Sequence, residues 1–274
     1  MKLFKTAITA LLALAVSLPA FATNTQNSAT PNLDKIYDRG TLRVGMSTFV
    51  PWAMRNKQGD LIGFEIDVAK RLAADSGWKV EFVPTAWDGI IPSLLSQKFD
   101  VIIGGLSITE ARSKSVLFTD PYSHSGVQLA ASKELAKGFN KVSDFNSRRI
   151  KIAARRGAVT VQVARETFPK AKILQFDDEA QAFQEVLNGN AQAVIASSPK
   201  PEQEAIRHSD SLFIPFTERL SQGNEAFAVR LGETDKAEFF NQWIKDRTED
   251  GWLKERYEYW FSTLDWQDQV AQGQ

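Results

Sequence analysis

From Thr41 onward, short apolar runs alternate with stretches whose apolar residues recur every three or four positions, and this alternation occurs twice. The first round predicts strands at Thr41–Met46, 79–83 and 99–103, the last two rich in the β-branched residues that suit buried sheet. Phe64, Val68, Leu72 and Ala73 share one helical face that stops at Gly77, and Asp88 is placed to cap a second helix with Pro92 in its first turn. The second round predicts strands at 149–154, Lys172–Phe176 and 191–196. Its helices fall near 158–168 and around Ala180, Phe183 and Leu187. Each round has the length of a βαβαβ module, which points to two α/β units rather than one long sheet, and so to a bilobed α/β chain. Ligands of such sheets sit beyond the carboxyl ends of the strands. The loops to watch are therefore Gly104-Gly105-Leu106-Ser107, Arg155-Arg156-Gly157 and Ser197-Ser198. The tail returns to helices, with Phe239, Phe240, Trp243 and Ile244, then Leu253, Tyr257, Trp260 and Phe261, spaced as buried stripes.

The opening of the chain follows a different grammar. Lys2 and Lys5 precede an uncharged stretch to Leu18, followed by Pro19 and Ala20-Phe21-Ala22. This pattern reads as a cleavable export signal over residues 1–22, too short and alanine-rich for a spanning helix, with a polar, disordered stretch at 23–32. With 33 basic and 33 acidic side chains in 274 residues, the chain has no basic surplus for a phosphate backbone, so nucleic acid is not expected as a partner. The absence of cysteine removes disulfides, thiolate nucleophiles and cysteine-ligated metals. His124 and His208 are the only histidines and sit far apart. No metal or cofactor is expected. His124, in a polar stretch between the two units, reads as a linker residue.

The segment with the most chemistry is Gly104-Gly-Leu-Ser-Ile-Thr-Glu-Ala-Arg112, where glycines after a buried strand allow close approach to backbone amides. Arg112 can make two parallel bonds to a carboxylate. The same spacing also fits a capping box from Ser107 to Glu110 and a solvated arginine, and spacing alone leaves both open. No nucleophile elbow, metalloprotease helix, phosphate loop or dinucleotide fingerprint is present. No catalytic residue is assigned.

Five separated motifs occur in order: Leu33-Asp-Lys-Ile-Tyr-Asp-Arg-Gly-Thr-Leu-Arg-Val44, Gly63-Phe-Glu-Ile-Asp67, Trp87-Asp-Gly-Ile-Ile-Pro92, Asp100 through Arg112, and Phe118-Thr-Asp-Pro-Tyr122. Together they resemble the periplasmic solute-binding proteins of polar amino-acid importers. The resemblance implies the type II periplasmic-binding fold: two lobes, 33–122 with 226–274 and 123–225, joined by strands crossing near 122–126 and 219–225. It implies a monomer in the periplasm that closes over a small carboxylate ligand and docks on the permease of an ABC importer. Carried over by position, Phe49 and Trp87 would sandwich the ligand, or serve as core. Gly105 and Ser107 would meet its carboxylate beside Arg112, Arg155 would face it from the second lobe, and Thr160 would follow the turn at Gly157.

The departures from the family pattern bear on the ligand. Where the family carries an acid for the ligand ammonium, this chain has Ser197, and Glu225 is the remaining candidate for that role. Arg155 and Arg156 add positive charge opposite Arg112, which favours an acidic amino acid, keto acid or dicarboxylate, although Arg156 could equally point to solvent. A second resemblance, to exported cyclohexadienyl dehydratases, runs through Phe168-Pro-Lys-Ala-Lys-Ile-Leu174, Asn224-Glu-Ala-Phe227 and the tail. It implies a glutamate general acid where this chain has Val161, which cannot donate a proton. A ligand sensor for a membrane receptor is a third reading.

Overall fold

The computed structural model describes residues 33–270. The expected export signal, the polar stretch to residue 32 and the last four residues lie outside the described residues. In chain order the first lobe begins with α1 (Asp34–Arg39), β1 (Thr41–Met46), β2 (Met54–Arg55), β3 (Leu61–Ile62), α2 (Phe64–Asp75) and β4 (Lys79–Pro84). A single-turn 3-10 helix at Trp87–Gly89 leads into α3 (Ile90–Leu95), followed by β5 (Val101–Ile102) and α4 (Glu110–Ser113). The long β6 (Val116–Ser132) crosses to β7 (Lys151–Arg155), α5 (Val159–Thr167), β8 (Lys172–Phe176), α6 (Glu179–Leu187), β9 (Ala193–Ser197), α7 (Lys200–Arg207) and β10 (Leu212–Phe213). The chain returns along β11 (Ser221–Arg230) and ends in α8 (Thr234–Glu249) and α9 (Trp252–Ser262).

Both rounds of the pattern form parallel three-stranded units, β4-β1-β5 and β9-β7-β8. The inner strands of each are buried on both faces, because neighbouring residues on one strand enter different cores. Val101 and Ile103 join the cluster under α2, α8 and α9, while Ile102 packs with Trp87, Ile90 and Leu94. Ile152 and Ala154 likewise pack against α5, and Ala153 packs against Ala182 and Phe183 of α6. This two-sided burial explains the continuous apolar runs in the sequence. The aromatic stripes of α8 and α9 are core, with Phe240 fully buried and Trp260 nearly so.

Three expectations need correction. The two units are not separate sheets: hydrogen bonding is continuous through β4-β1-β5-β11-β6-β9-β7-β8. The 17-residue β6 pairs with β11 over most of its length and, near its end, also with β9 through Val127 to Ala131. The strand at 79–83 is not buried sheet but the edge strand β4, alternating exposed and half-buried positions. Asp88 does not cap a helix. It lies inside the 3-10 turn, and Gly89 precedes α3 without a side-chain cap.

Candidate functional site

The loops that leave β1, β4 and β5 in the first lobe face those leaving β7, β8 and β9 in the second. Phe49, Trp87, Gly105, Ser107, Arg112, Arg155, Thr160 and Ser197 line one cavity, together with Ala158, Val159 and Glu179. Every one of these positions lies at or beyond a strand's carboxyl end, where doubly wound sheets hold their ligands. The space left among them is about 30 Å³, room for a water and not for an amino acid. A larger adjoining cavity of about 260 Å³ lies between Thr48–Arg55 and Asp178–Lys200 and shares Phe49 and Glu179 with the first.

The carboxyl-end loop of β5 is shaped by glycine. Gly105 has φ +65°, and a Cβ there would come within 3.0 Å of both Phe49 and Trp52. Its amide donates to Tyr122 Oη at 3.3 Å, and that hydroxyl lies 2.6 and 2.7 Å from the two oxygens of Glu65. Burial pushes the Glu65 carboxyl up to about 8 and holds the Tyr122 phenol well above its ordinary value, so this support under the loop is neutral near pH 7.

Arg112 stands on α4. The cap of that helix is Thr109, whose hydroxyl accepts from the Arg112 amide at 3.2 Å, so the capping box from Ser107 to Glu110 does not form. The guanidinium donates to Ser107 O at 2.8 Å and, across the cleft, to Gly157 O at 3.2 Å. Burial draws its pKa down to about 10, with no opposing carboxylate contributing. A guanidinium that is partly withdrawn from water and satisfied only by carbonyls remains a donor site for an anion.

Arg155, 5% exposed, is the most enclosed cation of the cleft. Its Cζ lies 5.2 Å from the Phe49 ring centre and 5.0 Å from that of Trp87, each contact worth about 0.5–2 kcal/mol. One Nη donates to Ser47 Oγ across the cleft, and Nε is buried without a partner. Burial lowers its pKa, while Glu179, Asp178 and Asp88 oppose the shift. The two rings are 6.0 Å apart between centres and tilted by 55°. A ligand between two parallel faces needs about 7 Å, two van der Waals contacts, so the expected sandwich is not open. Thr160 Oγ1 is also buried and unpartnered.

Glu225 does not line the cavity. Its backbone bridges that of Ser107, but its carboxylate accepts from Ser125 Oγ at 2.6 Å and Ser123 Oγ at 3.2 Å on the crossing strand, and burial raises it to about 7. Arg156 turns outward to Asp177 at 2.8 Å. His124, on β6, stacks against Tyr257. Sequence reasoning missed Glu179, the acid that does line the cavity. Asp178 caps α6 by accepting from Ala180 N, and Glu179 enters the cleft buried, its carboxyl raised by desolvation against the pull of Arg155 and Lys200. The available signal was the acidic run Asp177-Asp178-Glu179 at the carboxyl end of β8, the second of the three such loops of the second lobe.

Residues 42–263 match the family model for bacterial extracellular solute-binding proteins, family 3. The chain is 39% identical, at a TM-score of 0.76, to the ancestral amino acid-binding protein AncCDT-1, a precursor of cyclohexadienyl dehydratase, covering 84% of this chain and 99% of that one. A binding component of an ABC transporter from Wolinella succinogenes complexed with lysine is 33% identical at a TM-score of 0.78, covering 84% of this chain and all of the other. The cyclohexadienyl dehydratase of Pseudomonas aeruginosa is 26% identical over 261 residues, 94% of this chain and 95% of the relative. With one family model spanning residues 42–263 and solved relatives matched over 99% or more of their own length, this chain belongs to the bacterial extracellular solute-binding proteins of family 3.

Proposed function

We propose that this chain is a periplasmic binding protein that closes its lobes, 33–122 with 226–274 and 123–225, over an amino acid or related small carboxylate and delivers it to an ABC importer. The observation that carries this reading is Arg112, a guanidinium held by two backbone carbonyls in the cavity it shares with Arg155, with no carboxylate paired to it among the described residues. Ligand carboxylate replaces those carbonyls and adds charge-assisted bonds. Phe49, Trp87, Gly105, Ser107, Thr160 and Ser197 complete the enclosure, and Glu179 takes the ammonium role. The names of the amino acid-binding and transporter relatives support this class of ligand and partner.

A thermal-shift screen of the purified chain against amino acids, keto acids and dicarboxylates identifies the ligand, since a compound bound only to the folded form raises stability. Arg112→Met then weakens binding of the hit by about 2–5 kcal/mol in titration calorimetry, with the melting temperature of the ligand-free protein little changed. Unchanged affinity defeats the reading.

A second reading, a dehydratase, draws on the Pseudomonas relative and on Glu179, a buried carboxyl whose raised pKa suits a proton donor. Val161 stands against it: it is buried in α5 and carries no proton. Prephenate or arogenate turned over by wild type but not by Glu179→Gln promotes the enzyme; no product above a blank retires it.

A further inference from the structure

We infer that Arg155 is a resident cation that occupies the aromatic notch of the cleft, excludes ligands with cationic side chains and selects ligands carrying a second negative group. The inference rests on the binding reading above and deepens it.

The rings expected to clasp the ligand are in contact range of each other, 6.0 Å between centres, and the guanidinium of Arg155 lies about equally far from both, at 5.2 and 5.0 Å. Ring faces attract a cation, and here the chain supplies its own. Arg155 reaches the notch from the end of β7 and is fastened on the opposite lobe by Ser47 Oγ. A ligand guanidinium or ammonium would have to displace this arm or stand beside it, with Glu179 the one carboxylate lining the cavity to serve both cations.

The ionisable side chains lining the cavity are Arg112, Arg155 and Glu179. Asp88 and Asp178 act on Arg155 from the rim, and Lys200 acts on Glu179. Two guanidinium groups against one carboxylate leave the enclosed set one positive charge in surplus. A cationic amino acid adds to that surplus, a neutral zwitterion leaves it unchanged, and an acidic amino acid cancels it. Buried charge is tolerated when paired, so closure favours the third. Arg155 Nε and Thr160 Oγ1, both buried and unpartnered, are polar groups such a side-chain carboxylate could satisfy.

The test is titration calorimetry of L-glutamate, L-aspartate, L-glutamine, L-arginine and L-lysine against wild type, Arg155→Ala, Arg155→Met and Arg112→Met, with melting curves for each. Arg155→Ala empties the notch, and Arg155→Met keeps an apolar filler if the smaller side chain unfolds the lobe. Wild type binds an acidic amino acid about a hundredfold or more tighter than L-arginine or L-lysine. Both Arg155 variants lose that preference, and Arg155→Ala gains at least about tenfold for L-arginine or L-lysine. Wild type that binds a cationic amino acid as tightly as an acidic one overturns the inference, as does a ranking unchanged by both folded Arg155 variants. L-Glutamine bound as tightly as either acidic amino acid, needing Arg112 and ignoring Arg155, overturns the inference alone and leaves the carboxylate reading standing. No binding by any of the five in wild type overturns the inference and leaves the carboxylate reading to the wider screen of keto acids and dicarboxylates.

Discussion

The Arg112 guanidinium and the Gly157 carbonyl meet at 3.2 Å across the cleft, one residue on the first lobe and the other at the turn that opens α5 on the second. The same turn touches the first lobe with its backbone. Gly157 has φ +71°, and a Cβ there would come within 2.8 Å of Asp88 Cα. Glycine is required twice, once for the left-handed conformation and once for the approach of the lobes.

Gly157→Ala separates these two demands. The conformational penalty, about 1 kcal/mol, is present whether the lobes are apart or together and lowers the melting temperature modestly. The clash with the Asp88 backbone exists only when the lobes meet, so closure is disfavoured further and ligand affinity falls by about tenfold or more. Small-angle scattering with saturating ligand, showing a larger radius of gyration than wild type, checks it. An alanine variant that closes and binds like wild type shows that the turn shifts at little cost.

Glu179 makes a separable prediction. If it holds the ligand ammonium, Glu179→Gln weakens an amino acid by about 2–5 kcal/mol while leaving its keto-acid counterpart unchanged or better bound. The pair to compare is L-glutamate and 2-oxoglutarate, measured by calorimetry on both proteins. Equal losses for the two show that Glu179 shapes the cleft without meeting the amine. Retained amine preference in the variant, lost in Ser197→Ala, places the ammonium at the end of β9.

Legibility followed physical range. The strands β7 and β9 stood out because two-sided burial writes itself as short apolar runs, and α2 because one face repeats every three or four residues. The continuity of the sheet did not. It depends on β6 pairing with β11 a hundred residues away, and local periodicity carries no record of a partner. The carboxyl ends of parallel strands pointed to the loops of Gly105, Ser107, Arg155 and Ser197, and the family resemblance supplied Phe49, Trp87 and Thr160; with Arg112 these are eight of the nine candidate residues around one cavity. Glu225 lies off the cavity lining because its carboxylate is held by two serines on the neighbouring strand, a pairing that local spacing does not record. The placement of Arg155 against Phe49 and Trp87 is a three-body packing relation between lobes, and no spacing in the chain encodes it.

The buried acids beneath the site make stability depend on pH with a definite sign. Glu65 is fully buried against Tyr122, with its carboxyl raised from 4.5 to about 8, and Glu225 on β11 acts on it as a second raised acid, at about 7. In the unfolded chain both lose their protons near pH 4.5, whereas the folded chain keeps them to about 7–8. The folded state therefore binds more protons between those limits, and unfolding free energy falls as pH rises through that window. The contribution is complete below about pH 4.5 and gone above about pH 8. Glu65→Gln keeps a neutral partner for the Tyr122 hydroxyl and has nothing to titrate, so its stability declines less over the window, by on the order of 2–4 kcal/mol relative to wild type. Urea melts of both proteins from pH 5 to 9 give the comparison directly. Because each melt is referred to the variant at the same pH, carboxylates of opposite sign, such as Asp75 with its lowered pKa, cancel in the difference. Parallel curves for the two proteins mean that Glu65 is ionised in the folded state and that another cation or water shares its site.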